Sequence, residues 1–233
     1  MIWDPAFYQK FPGYAGILPI WSNAHWPQLN DYNKMAHNFA CPISFIAQSQ
    51  KCRYEKVIYE SRLVPTRLNH WHDFFNNLTW LQWPKIKWAM IQRYYEEGLS
   101  ASRTPLQNIL AHFDECGVII CSENLEVFEH IQQMQWKTLF WHKRNLLAHC
   151  QCIIIGHGLL DKARAPYIGM TGKTIFLPYI PASLKIIDEV IAQTILSTSL
   201  ALMPFPLLGW PVWHADNQYE EFYDNTDYFR AKR

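Results

Sequence analysis

Residues 112–121 read HFDECGVIIC, and the reading of this stretch decides the fold class. Five apolar residues, GVIIC (117–121), follow an acidic pair and precede the polar Ser122, Glu123 and Asn124. The run is too short for a helix and its β-branched centre suits a buried strand. CQCIII (150–155) has the same character and gives a second strand, ended by Gly156-His157-Gly158 and a short helix through Ala165. Helical periodicity surrounds both. It predicts helices over 29–39, 67–83, 84–98 (opened by Pro84) and 124–141, with a shorter one from the Thr104-Pro105 cap through His112. YEKVIYE (54–60) alternates as a further strand would. The expected class is therefore α+β, a predominantly helical single domain with a small mixed β-sheet. Residues 1–50, rich in Pro and aromatics, read as an arm packed on the core, and 51–233 as one globular domain.

With 233 residues, 49% of them hydrophobic, the chain can bury a sizeable core without disulfide staples. A net charge of +1 supplies no strong field toward nucleic acid or an anionic membrane. The opening MIWDPAFYQKFPGY lacks the basic and apolar regions of a secretory signal, so a cytoplasmic location is expected, with six cysteines kept as thiols. Cys116, Cys121, Cys150 and Cys152 make a conceivable zinc set, but C-x4-C and C-x-C are not usual zinc spacings, and small buried hydrophobes explain them. Residues 190–213 carry no formal charge. Central Ser, Thr and Gln and later Pro residues argue against a membrane span, and favour a core helix over 182–203 followed by a Pro-rich strap.

The segment 69–77, NHWHDFFNN, carries chemistry. On a helix, Trp71, Phe74, Phe75, Leu78 and Leu81 form an apolar stripe, while Asn69, His72, Asp73, Asn76 and Trp80 share another face. A solvated face would carry Lys, Glu, Arg or Gln; short directional groups suit a partly enclosed cavity, or else a buried hydrogen-bonded cluster that only fixes the fold. Asp114 and Glu115 stand just before one strand and His157 just after another, where rigid scaffolds present catalytic groups. The glycines flanking His157 permit a tight turn and close approach of a ligand. Convergence of these segments predicts a hydrolytic site. His72, Asp73 and His157 are its metal ligands or acid/base groups, Glu115 a candidate base alongside Asp114, and Asn76 a substrate-orienting group. The cofactor implied is a divalent metal such as Zn, Mn or Fe. Arg62, Arg67, Arg103 and Lys173 are candidates to neutralise a small anionic substrate, with surface ion pairs as the competing explanation. The alternative class is a non-catalytic binding or assembly module whose polar cluster is structural.

Other matches fail on their own terms. GMTGKT (169–174) lacks the first glycine of a phosphate loop, where Tyr167 stands, and the sequence after it cannot open a helix. Gly156-His157-Gly158 lacks the third glycine of a dinucleotide turn. His37, His72-Asp73 and Asp114 or Asp161 loosely match the ligands of HD-type phosphohydrolases, but a strand at 54–60 departs from that all-helical fold. Trp83, Trp88 and Tyr94 interleave with Lys85, Lys87 and Arg93 as in a single-strand platform, yet core packing accounts for them, and nucleic acid is the minor alternative.

Several blocks in order carry a family likeness: HDFFNNLTWLQWPKIK (72–87), HFDECGVI (112–119), GHGLLDKARAPYIGMTGK (156–173), MPFPLLGWP (203–211) and FYDNTDYFR (222–230). From about residue 59 to 230 the chain closely resembles the bacterial family catalogued as domain of unknown function 3025. The resemblance implies a soluble single domain and no particular activity. It places His72, Asp73, Asn76, Asp114, Glu115, His157, Pro166 and Thr171 on the family's motif positions.

Overall fold

Every residue of 117–121 is buried, because this strand lies inside a sheet with neighbours on both sides. The computed structural model describes residues 13–14, 26–49, 52–100, 102–197, 200–211 and 213–232. In chain order, α1 (Leu29–Asn38) leads to β1 (Ser44–Ala47), α2 (Tyr54–Ser61) and β2 (Leu63–Thr66). Next come α3 (Trp71–Gln82), α4 (Pro84–Glu96), α5 (Pro105–Cys116) and β3 (Gly117–Cys121). The remainder is α6 (Leu125–Gln132), β4 (Gln151–Ile154), α7 (His157–Lys162), β5 (Thr171–Leu177), α8 (Leu184–Ser197) and β6 (Met203–Pro206). The fold is α+β, with helices around a four-stranded mixed sheet, order β4-β3-β5-β6, and a separate parallel pair, β1-β2. Strand β3 runs antiparallel to β4 (Val118 opposite Ile154) and parallel to β5 (Val118 opposite Thr174).

Two junctions bring the polar residues of α5 and α7 to one end of the sheet. Helix α5 passes into β3 without a loop, so residues 114–116 form its last turn beside the sheet. At the adjacent end of β4, the amides of Ile155 and Gly156 both donate to the Gly117 carbonyl (2.9 Å each), pinning the start of α7 against that junction.

Four expectations are corrected. Residues 54–60 are helical, in α2: Tyr54, Val57, Ile58 and Ser61 also fit a helical face, seven residues satisfy either period, and packing chooses. Helix α5 continues through Cys116, beyond His112, so Asp114 and Glu115 project from the end of a helix. The helix expected over 124–141 breaks after Gln132, where Met134 takes a left-handed conformation (φ 52°) and its neighbour Gln135 meets His130 (2.6 Å); no Gly or Pro advertises the break. Helix α8 is described over Leu184–Ser197 and residues 200–202 are not helical, so it does not reach Met203, and the expected strap begins as a strand, β6, paired with β5. No described helix is long and apolar enough to cross a membrane.

The expected arm, residues 1–50, falls partly outside the described residues. Within it Tyr14 is buried; its hydroxyl donates to the Ile154 carbonyl (3.1 Å) and accepts from Trp83 Nε1 (3.1 Å). The cations of the suspected nucleic-acid platform are already used. Lys85 pairs with Glu189 (3.0 Å), Arg93 donates to the Ile195 and Leu196 carbonyls (2.6 and 3.0 Å), and Lys87 is buried.

Candidate metal centre

Three side chains from three helices converge at the α5-β3 junction. His72 sits in the first turn of α3, Glu115 in the last turn of α5, and His157 is the first residue of α7. His157 Nε2 lies 3.1 Å from His72 Nε2 and 3.5 Å from Glu115 Oε1, and His72 Nε2 lies 3.7 Å from the same carboxylate oxygen. These three distances define a triangle whose equidistant point lies roughly 2.0 Å from each corner, and zinc binds His nitrogen and carboxylate oxygen at about 2.0–2.2 Å. Among the described residues this is the group of three or more metal-ligating side chains that converges; the thiols of Cys116, Cys121, Cys150 and Cys152 do not. Burial pushes the Cys121 thiol up to about 12, which is the behaviour of a packed hydrophobe.

The glycines around His157 serve this convergence. A Cβ on Gly156 would come within 2.5 Å of Gly117 N and 2.6 Å of Cys116 Cα, and one on Gly158 would land on the Glu115 carboxylate. Close approach is indeed what they permit, but the approaching groups belong to the protein's own α5-β3 junction.

A cavity of about 220 Å³ opens over the cluster, small beside the 300–1,000 Å³ of drug-sized sites. Its wall includes Tyr54, Glu55, Arg67, Asp73, Asn76, Arg103 and Asp114. Asp73 shares the cavity but not the triangle. Consecutive helical residues point about 100° apart, and the Asp73 carboxylate is taken by Arg67, through the backbone amide (2.7 Å), Nε (3.1 Å) and a terminal guanidinium nitrogen (2.6 Å). Of the expected cationic residues, Arg67 and Arg103 reach the cavity and two do not. Arg62 closes α2 in a left-handed conformation and lays its guanidinium 3.2 Å over the Trp88 ring, while Lys173 sits on β5 opposite Gly117.

Behind the triangle lies a second layer. Asp114 Oδ1 is 3.7 Å from His157 Nδ1 and is ion-paired with Lys87, whose ammonium also donates to Asn76 Oδ1 (2.8 Å). Asn76 Nδ2 donates to Tyr54 OH (2.7 Å). Burial pushes Asp114 up, but the Lys87 ammonium, with His157, outweighs it and holds the carboxyl far below the usual range. Burial also pushes Glu115 up, and contacts with His157 and His72 bring it down. His72 is lowered by burial and by His157, whereas His157 is raised because Asp114 outweighs burial. One imidazole is thus disposed to stay neutral and the other to hold a proton, and a single proton between the two Nε2 atoms accounts for their 3.1 Å separation.

Lys87, Tyr54 and Glu55 were not anticipated as site residues. Lys87 had a signal: it interrupts the apolar stripe Ile86, Met90, Ile91 of α4, and a lysine on a buried face needs an acidic partner. Tyr54 and Glu55 were hidden by the strand reading of 54–60.

Fold and site together define an α+β protein with a two-histidine, one-carboxylate cluster at a helix-strand junction. The chain belongs to the family described as protein of unknown function (DUF3025), whose model matches residues 43–233. No curated protein and no solved structure matches it.

Proposed function

We propose that His72, Glu115 and His157 hold one divalent metal ion and that the protein is a metal-dependent hydrolase acting on a small anionic substrate. The observation that carries this reading is the triangle of 3.1, 3.5 and 3.7 Å, which fits an ion at bonding distance from all three atoms and leaves its open side toward the cavity. A bound ion would supply Lewis acidity and bring the pKa of a water toward 7. In this reading Glu115 is a ligand and is not free to act as base, so Glu55 is the wall carboxylate left to accept a proton.

Charge supports the order of binding. Arg67 neutralises Asp73 and Lys87 neutralises Asp114, which leaves Glu55 and Glu115 against Arg103, one net negative charge once both histidines are neutral, the state in which they can bind an ion. A divalent ion reverses that sign, after which Arg103 can meet an anionic group of the substrate. The cytoplasm is our proposed location, since six free thiols suit a reducing compartment.

The test is elemental analysis of the purified protein, followed by hydrolysis assays on esters, amides and phosphodiesters with and without chelator. One zinc or manganese ion per chain and chelator-sensitive turnover are expected. Iron with oxygen consumption would replace hydrolysis by oxygen chemistry, which uses the same donor set. The 3.1 Å contact is also a good histidine-histidine hydrogen bond, so failure to take up any metal would make the cluster structural and the protein a binding module.

Proton competition and a glycine substitution give two expected results at this site. Metal must displace the proton that the raised pKa of His157 retains, so loading is fullest at alkaline pH and falls progressively as pH drops, with the loss beginning above the ordinary imidazole value of 6.5, measured by competition titration at several pH values. Gly158→Ala should displace the Glu115 carboxylate and lower metal affinity by roughly 10–100-fold, read by calorimetric titration.

A further inference from the structure

The ion pair behind the triangle, between buried Lys87 and partly exposed Asp114, is unexplained by the ligand set. Lys87 is 1% exposed, and a buried pair of this kind contributes little net stability compared with well-packed apolar residues. Its position indicates another use. His157 is also buried, and its Nδ1 has no hydrogen-bond partner; the nearest carboxylate oxygen is Asp114 Oδ1 at 3.7 Å, within ion-pair range and just beyond hydrogen-bond length. Asp114 cannot drift, because Lys87 holds it, Asn76 holds Lys87, and Tyr54 holds Asn76 while accepting from Trp80 Nε1 (3.2 Å). This chain ties α2, α3, α4 and α5 to the one ring nitrogen of α7 that faces away from the triangle.

We propose that Asp114, fixed by Lys87, is the positioning residue of the centre: it keeps the proton of His157 on Nδ1, so that Nε2 presents its lone pair to the ion. The inference rests on the proposed metal site and deepens it. Metal-bound histidines commonly donate their second N–H to a carboxylate, which fixes tautomer and ring orientation. Here a shift of under ~1 Å would close the Nδ1 contact to hydrogen-bond length.

The test is Co²⁺ titration of the full chain, followed by visible absorption and competition affinity, for the wild type, Asp114→Asn, and the double variant Lys87→Met with Asp114→Asn. The double variant removes both charges of the pair together, which preserves the fold better than leaving a lysine buried alone. Both variants should bind Co²⁺ about 10–100-fold more weakly than the wild type, with an altered absorption spectrum. A double variant that melts like the wild type and binds Co²⁺ with the same affinity and spectrum would overturn the positioning role and leave the metal reading standing. No Co²⁺ uptake by the wild type would overturn the metal reading and this inference with it. Should neither variant fold, the imidazole ¹⁵N spectrum of the Zn²⁺-loaded wild type decides: a proton on Nδ1 of His157 supports the assignment, and coordination through Nδ1 defeats it.

Discussion

Substituting His157 by alanine should abolish stoichiometric metal uptake, and His72→Ala and Glu115→Gln should do the same. Each corner of the triangle supplies one of three protein ligands, and loss of one leaves two donors with no geometric closure around the ion. Glu115→Gln is the sharpest of the three, because it keeps the side-chain volume that Gly158 accommodates and removes only the charge. The thermal consequence is calculable. At a free metal concentration 100 times Kd, binding stabilises the folded state by about 2.7 kcal/mol, and for a chain of this size each kcal/mol moves Tm by about 2–4 °C. Chelation should therefore lower the wild-type Tm by about 5–11 °C and leave the three variants unmoved. His112→Ala is the control: His112 is exposed on α5 outside the cavity, so it should load and respond to chelator like the wild type. Equal chelator shifts in wild type and His157→Ala would place any metal elsewhere.

What the sequence disclosed depended on range. Strands β3 and β4 were readable because short, mostly apolar, β-branched runs between turn residues have one economical use. Pro84 and the Thr104-Pro105 pair marked helix starts because their effect is local: Pro fixes φ, and the Thr104 hydroxyl accepts from the Gln107 amide at 3.2 Å. The polar face of α3 was legible as a face, but its division was not. His72 turns to His157 while Asp73 turns to Arg67, and the choice is made by residues remote from the helix. Helix α2 was misread for a related reason, since its identity is fixed where Tyr54 meets Asn76 and Trp80, 22 and 26 residues away. The glycines at 156 and 158 advertised close approach without naming the approaching groups; only the packing of α7 on the α5-β3 junction does so.

The largest stability effect is expected at Asp114, although its side chain is partly exposed. Asp114→Asn removes the counter-charge of Lys87, whose side chain is only 2% exposed, and leaves an ammonium in the interior with Asn76 and the Trp80 ring (5.3 Å) as its remaining company. Breaking one side of a buried pair in this way costs about 3–5 kcal/mol, or a Tm decrease of roughly 6–20 °C at 2–4 °C per kcal/mol. Lys87→Met should cost less, because the orphaned carboxylate retains access to water while the new side chain shares a small cavity lining with Met90, Ile91 and Leu110. Combining the two changes should recover most of the loss, giving a strongly non-additive cycle in denaturant unfolding. Additive effects would mean that the two groups do not depend on each other, and the chain of contacts from Tyr54 to His157 would then have no energetic link at its centre. A coupling of several kcal/mol would instead show that stability is committed to holding one carboxylate in place, which a purely apolar packing of α4 on α5 would not require.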